Sequence, residues 1–198
     1  PMLFDGLSPI VCGVLGYVSI ILYDLNNISH NNDRMQSLHT VGAGLIGLAF
    51  FNPVLPGLSE ANSLPTAVRV IAGILALGFF VLLVYLTFIT GGRTNWKRKD
   101  PKKRWWEKDL VTTGAYALCR HPSVWAMLFF CLLLIPAANF DPWCATTFSL
   151  CGLLLAMYED VNVFPVLMRG YNAYKDTTPF LFPTKESIRR CFNGKKAK

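Results

Sequence analysis

Five stretches of the chain contain no Asp, Glu, Lys or Arg: Gly6–Tyr23, Val41–Leu58, Val70–Gly92, Pro122–Phe140 and Pro142–Tyr158. A membrane-spanning helix needs roughly 20 predominantly apolar residues, within a range of about 17–25. Backbone N–H and C=O groups cannot stay unpaired in lipid, so such blocks must be helices or strands of a closed barrel. Their length and lack of alternation select helices. Only 16% of the residues are charged, against about 25% in soluble domains, and this remainder is too small to wrap five buried helices. The low charge and 53% hydrophobic content also exclude a disordered chain. The expected fold is an all-α integral membrane protein with about five transmembrane helices.

Charge placement gives the expected topology. Eight of the 19 basic residues lie between Arg93 and Lys108, and another eight from Arg169 to Lys198. Basic loops stay on the cytosolic side, so both segments are expected there, with blocks four and five forming a hairpin between them. Block three then runs inward, Leu58–Pro65 is an outer loop and Asp24–Ser37 an inner one. Trp96, Trp105 and Trp106 stand among the cations of the first segment. Indole rings favour the headgroup level and juxtamembrane cations favour anionic lipid, so this pattern indicates the bilayer as partner and no nucleic acid. The tail, with Lys195 and Lys196 third and fourth from the end, matches a dilysine retrieval signal. The expected location is therefore multi-pass, C-terminus cytosolic, in a bacterial inner membrane or the endoplasmic reticulum.

The six cysteines include no C-x-x-C pair. Most fall in or beside apolar blocks, which indicates reduced packing residues and no metal site. The glycine sets Gly13/Gly16, Gly42/Gly44/Gly47 and Gly73/Gly78 lie inside spans, where small residues let helices approach closely. The chain is expected to be a single membrane domain, with residues 1–92 as scaffold and 93–198 as the hairpin and tail that carry the chemistry.

Polar residues beyond the needs of a scaffold gather in two segments, Lys108–Trp125 and Tyr158–Pro183. Both should emerge on one face. Arg120-His121-Pro122 opens block four, with proline in the first turn, where its missing N–H is not needed. The helix start presents free N–H groups and a partial positive charge to an anion. Glu159 and Asp160 close block five. Adjacent acids beside a membrane span are costly unless paired or wet, which marks them as a functional candidate. Tyr171 and Tyr174 follow on one helical face, and Pro179 and Pro183 end that helix.

Together, Leu110-Val111-Thr112-x-Gly114-x-Tyr116-x-x-x-Arg120-His121-Pro122-Ser123 and Glu159-Asp160-(x10)-Tyr171-x-x-Tyr174-(x4)-Pro179-x-x-x-Pro183 resemble the integral-membrane methyltransferases that include isoprenylcysteine carboxyl methyltransferase and the phospholipid N-methyltransferases. The resemblance covers roughly Lys108–Thr184. It implies a cytosolic pocket for S-adenosylmethionine formed by the C-terminal half. It further implies that Leu110 and Val111 line the adenosyl group with Tyr116 beside it, that His121, Pro122 and Ser123 form the cofactor loop, and that Glu159 pairs with the cofactor's ammonium. The sulfonium would lie near an aromatic face such as Tyr116 or Tyr171. Asp160 is the nearest candidate base, or else a partner for Arg120.

Departures from that family bear on the acceptor. Val124 and Ala126 replace its tyrosine and glycine. Leu155 stands where the carboxyl methyltransferases carry an arginine that meets the prenylcysteine carboxylate. A carboxylate would then be desolvated unpaired, at high cost, so a lipophilic or small-molecule methyl acceptor with an amine or thiol is favoured. The rival readings are a non-enzymatic transporter or scaffold, and a sterol-reductase-like NADPH enzyme, for which 198 residues are few.

Overall fold

In a computed structural model, residues 8–29, 32–60, 63–90 and 110–192 are described. The basic segment Arg93–Lys108 with its three tryptophans, and the dilysine at Lys195 and Lys196, lie outside them. The regular structure among the described residues is helical: α1 (Pro9–Ser29), α2 (Ser37–Ser59), α3 (Thr66–Val84), α4 (Ala115–Leu118), α5 (Pro122–Ala138), α6 (Pro142–Tyr158), α7 (Phe164–Leu167), α8 (Tyr171–Thr177) and α9 (Lys185–Phe192). Two stretches of wider π-type turns, Tyr85–Thr90 and Glu159–Val163, extend α3 and join α6 to α7.

Four helical runs are long and apolar enough to cross a membrane: Pro9–Ser29, Asp33–Ser59, Thr66–Thr87 and Pro142–Leu167. This is a membrane protein. The fourth apolar block is α5, which at 17 residues reaches only about 26 Å at 1.5 Å per residue, short of the ~30 Å hydrocarbon core. Among the described residues the long spans therefore number four, with α5 as a shorter apolar helix.

The chain divides into two compact units, one of residues 1–80 with 127–155 and the other of 81–126 with 156–198. The far end of the α5–α6 hairpin joins the first helices because its aromatic residues complete their core. Phe50 of α2 stacks on Phe140 at 5.6 Å and touches Phe148 and Phe130 at 4.8 and 5.3 Å between ring centroids. Around them Ala49, Ala76, Cys131 and Ala145 are buried.

α1 and α2 meet through glycine. A Cβ on Gly16 would sit 2.8 Å from the Gly42 carbonyl oxygen, and one on Gly42 2.7 Å from that of Gly16. Only hydrogen fits at this crossing. Gly13 likewise leaves room for the Phe148 ring. Gly44, Gly47 and Gly78 face open space, so only part of the expected glycine packing is used.

α1 runs further than its charge-free block. It continues through Asp24 to Ser29 where a loop was expected, and it buries Asp24, Asn26 and Asn27. The reason is local satisfaction of polar groups. The Asn26 amide donates to the Asn32 carbonyl and accepts from the Asn32 N–H, at 3.1 and 2.8 Å, and Gln36 donates to Asn27 at 2.8 Å. At the end of α2, Arg69 caps the helix by donating to the carbonyls of Gly57, Leu58 and Glu60. The outer faces of α1–α3 present Leu15, Phe51, Ile71, Ile74 and Leu77, each about half exposed or more, as expected of surfaces in contact with lipid.

Candidate functional site

The second unit brings the two polar segments together. Gly114, with φ +63° and ψ −134°, occupies backbone space that side chains disfavour and turns the chain into α4. After α4 the backbone extends, and the N–H groups of Arg120 and His121 donate to the carbonyls of Pro179 and Phe180 at 2.9 and 3.2 Å. The Trp125 indole donates to the Leu181 carbonyl at 2.9 Å. The Tyr174 hydroxyl donates to the Tyr116 carbonyl at 2.6 Å, and the Tyr116 hydroxyl to the Leu86 carbonyl at 2.9 Å. Tyr116–Trp125 is thereby clasped by Tyr171–Leu181. Gly170, at φ +83°, starts the α8 side of the clasp.

Asp160 is the centre of the clasp. Its Oδ1 accepts from Arg120 Nε at 2.7 Å, from the Tyr171 hydroxyl at 2.6 Å and from His121 Nε2 at 3.3 Å. Its Oδ2 accepts from Arg120 Nη2 at 3.1 Å and lies 3.2 Å from Lys175 Nζ. Arg120 is held from the other side by the carbonyls of Lys175 and Thr178, at 3.1 and 2.6 Å. The side chains of Arg120 and Asp160 are only 10% and 6% exposed. A buried pair persists only when its remaining donors and acceptors are satisfied, and here they are.

His121 lies between Phe164, stacked at 5.7 Å, and Phe180 at 5.0 Å. Burial among these rings lowers its pKa below the ordinary histidine value, outweighing the opposing pull of Asp160. Facing an ionised carboxylate, Nε2 must carry the proton of the neutral ring. Burial pushes the Tyr171 hydroxyl up, and its bond to Asp160 adds to the shift. Tyr174 is raised mainly by burial, and burial takes the Cys119 thiol to about 11. All four groups are uncharged at neutral pH.

These contacts redistribute the roles read from the sequence. Asp160 is engaged on both oxygens by a guanidinium, an ammonium, a phenol and an imidazole, so accepting a substrate proton would break its ion pair. It anchors the clasp through both oxygens. His121 is buried with its imidazole Nε2 turned to Asp160 and its backbone N–H donated to the Phe180 carbonyl, which fixes the loop. Leu110, Val111, Tyr116, Pro122, Ser123 and Glu159 are all half-buried, neither sealed in the core nor fully in water. Missed in the sequence were Lys175, Phe164, Phe180 and the carbonyls that hold Arg120. The four-residue spacing from Tyr171 to Lys175, which puts both on one helical face, was the available signal for Lys175.

At the start of α5 the backbone donors are largely spent. The amides of Arg120 and His121 are taken and Pro122 has none, so an anion at the start of α5 would meet the N–H and hydroxyl of Ser123. Comparison of the chain with protein-family models, curated proteins and solved structures finds no match.

Proposed function

We propose that this chain is a membrane-embedded methyltransferase that moves a methyl group from S-adenosylmethionine to a lipophilic or small-molecule acceptor bearing an amine or thiol. One observation carries the reading: the clasp joins the two segments on which the resemblance rests, Tyr116–Trp125 and Asp160–Leu181, through backbone hydrogen bonds and the Arg120–Asp160 pair. In this reading α5 is a fifth, short span, and both segments face the cytosol.

S-adenosylmethionine, when bound, supplies an electrophilic methyl on sulfur, which an acceptor nitrogen or sulfur takes in line while the sulfur leaves as a neutral thioether. The chain's task is positioning, which alone can supply several kcal/mol of the barrier. Leu110, Val111 and Tyr116 would hold the adenosyl group, Glu159 the ammonium, and Pro122 and Ser123 the carboxylate end. His121 and Asp160 would act behind them by fixing the loop. With Asp160 committed to Arg120, an amine acceptor sheds its proton to water before attack.

A titration with S-adenosylmethionine, read as melting temperature beside an NADPH control, tests the reading. A ligand that binds only the folded state raises the midpoint with occupancy. A saturable rise with S-adenosylmethionine alone is expected. A rise with NADPH instead would support the reductase reading, and no rise with either at millimolar concentration would leave a non-enzymatic membrane protein.

A further inference from the structure

The C-terminal helix α9, Lys185–Phe192, has two unlike faces. Ser187 is fully buried and closes a ring with Thr184, donating to the Thr184 carbonyl at 3.0 Å and accepting from its N–H at 2.9 Å. Arg190 donates to the Thr177 carbonyl. These contacts fix the inner face. The outer face carries Lys185, Ile188, Arg189 and Phe192 at positions i, i+3, i+4 and i+7, all exposed. Phe192 is 84% exposed, and Phe182, just before the helix, is 71% exposed.

We infer that this outer face, Phe182, Lys185, Ile188, Arg189 and Phe192, docks on the anionic headgroup layer of the membrane the protein spans. Apolar rings alternating with cations are the pattern of a helix lying in the interface plane, with rings at the acyl boundary and charges among the phosphates. Charge complementarity selects the lipid surface over other occupants. From Arg169 to the end of the chain there are eight basic residues and two acidic ones. The long side chains of Lys185 and Arg189 can lay their methylenes beside Ile188 and still reach phosphate.

The inner face ties α9 to the clasp, because Thr177, which receives Arg190, precedes Thr178, whose carbonyl holds Arg120. A lipid-bound α9 thus braces the backbone that positions Arg120. This inference concerns the surface of α9 and does not depend on which reaction the clasp serves.

Hydrogen exchange of the full chain in single-copy nanodiscs tests it, comparing phosphatidylglycerol with phosphatidylcholine discs and wild type with Lys185→Gln/Arg189→Gln. Each basic residue at an anionic surface contributes about a factor of five. Amides of residues 185–192 should therefore exchange up to about 30-fold more slowly in phosphatidylglycerol. The difference should shrink with added salt and fall to near unity in the double variant, with exchange in α1, Pro9–Ser29, as the control for folding. Equal exchange in both lipids would overturn the inference, as would a lipid difference that survives the double substitution. Protection that appears only in discs holding two copies would assign the face to a second chain and overturn it equally.

Discussion

Arg120 and Asp160, 40 residues apart in sequence, meet in a two-pronged ion pair, Nε to Oδ1 at 2.7 Å and Nη2 to Oδ2 at 3.1 Å. The pair fastens the start of α5 to the wide-turn segment that follows α6. Removing one partner strands the other charge in a buried place, which costs about 3–5 kcal/mol. Asp160→Asn and Arg120→Ala should each lower stability by that order, and the double variant should lose much less than their sum. Thermal unfolding in detergent measures all three, and additive losses would show that the pair is not coupled.

Tyr171 and Tyr174 make bonds of equal length to different ends of the clasp, one to Asp160 and one to the Tyr116 carbonyl, both at 2.6 Å. A hydrogen bond to a charged acceptor is worth about 1.5–3 kcal/mol and a neutral one about 1 kcal/mol. Tyr171→Phe should therefore be the more destabilising, by a margin visible in denaturant midpoints. The reverse order would mean that Asp160 does not depend on the phenol.

His121 predicts a pH response. Its pKa in the folded protein lies below 6.5, the ordinary value, chiefly because of burial, while the unfolded chain titrates near 6.5. As pH falls below 6.5 the unfolded state takes up a proton that the folded state refuses, so stability declines, by at most about 1.4 kcal/mol per pH unit. This contribution is complete above pH 6.5 and lost as pH drops toward the folded-state pKa. Asp160, Arg120 and Lys175 are the charges that face the ring. Melting curves between pH 7.5 and 5.5 should show a slope in the wild type that His121→Gln reduces.

Glu159 is the chain's candidate for the cofactor's ammonium. Glu159→Ala should abolish the thermal shift caused by S-adenosylmethionine in a protein that still unfolds cooperatively without ligand. Unchanged affinity would remove Glu159 from the site. Leu155→Arg tests the acceptor argument, since a gain in carboxylate methylation is expected if the missing arginine excludes such substrates.

Gly42 is tested by Gly42→Ala. The added methyl would press on the Gly16 carbonyl and force α1 and α2 apart, a loss of about 1–3 kcal/mol. The same change at Gly47, which faces open space, should cost little or slightly stabilise the helix.

The apolar blocks were legible because hydrocarbon imposes length and composition directly, and the boundaries of α2 and α6 follow theirs to within a few residues. α1 overran its block because Asn26 and Asn27 find partners in Asn32 and Gln36, a satisfaction that hydropathy does not register. The wide turns at Glu159–Val163 were not legible either, since no residue type demands them. At the candidate site, residue types and spacing picked out His121, Asp160, Tyr171 and Tyr174. What spacing could not say was which acid faced inward, and the answer, Asp160, depends on Arg120 arriving from 40 positions away.

The wide turn after α6 has a further consequence. Phe164 N–H bonds back to the Glu159 carbonyl, five residues earlier, so the segment holds one residue more than an α-helical turn needs. Removing a single residue from Val161–Val163 would let the turn close with ordinary α-helical pitch. Because an α-turn needs that one residue fewer, Phe164 would keep its angular position and its stacking on the His121 ring. The wide turn is thus the place where one extra residue is absorbed without changing the phase of Phe164–Leu167.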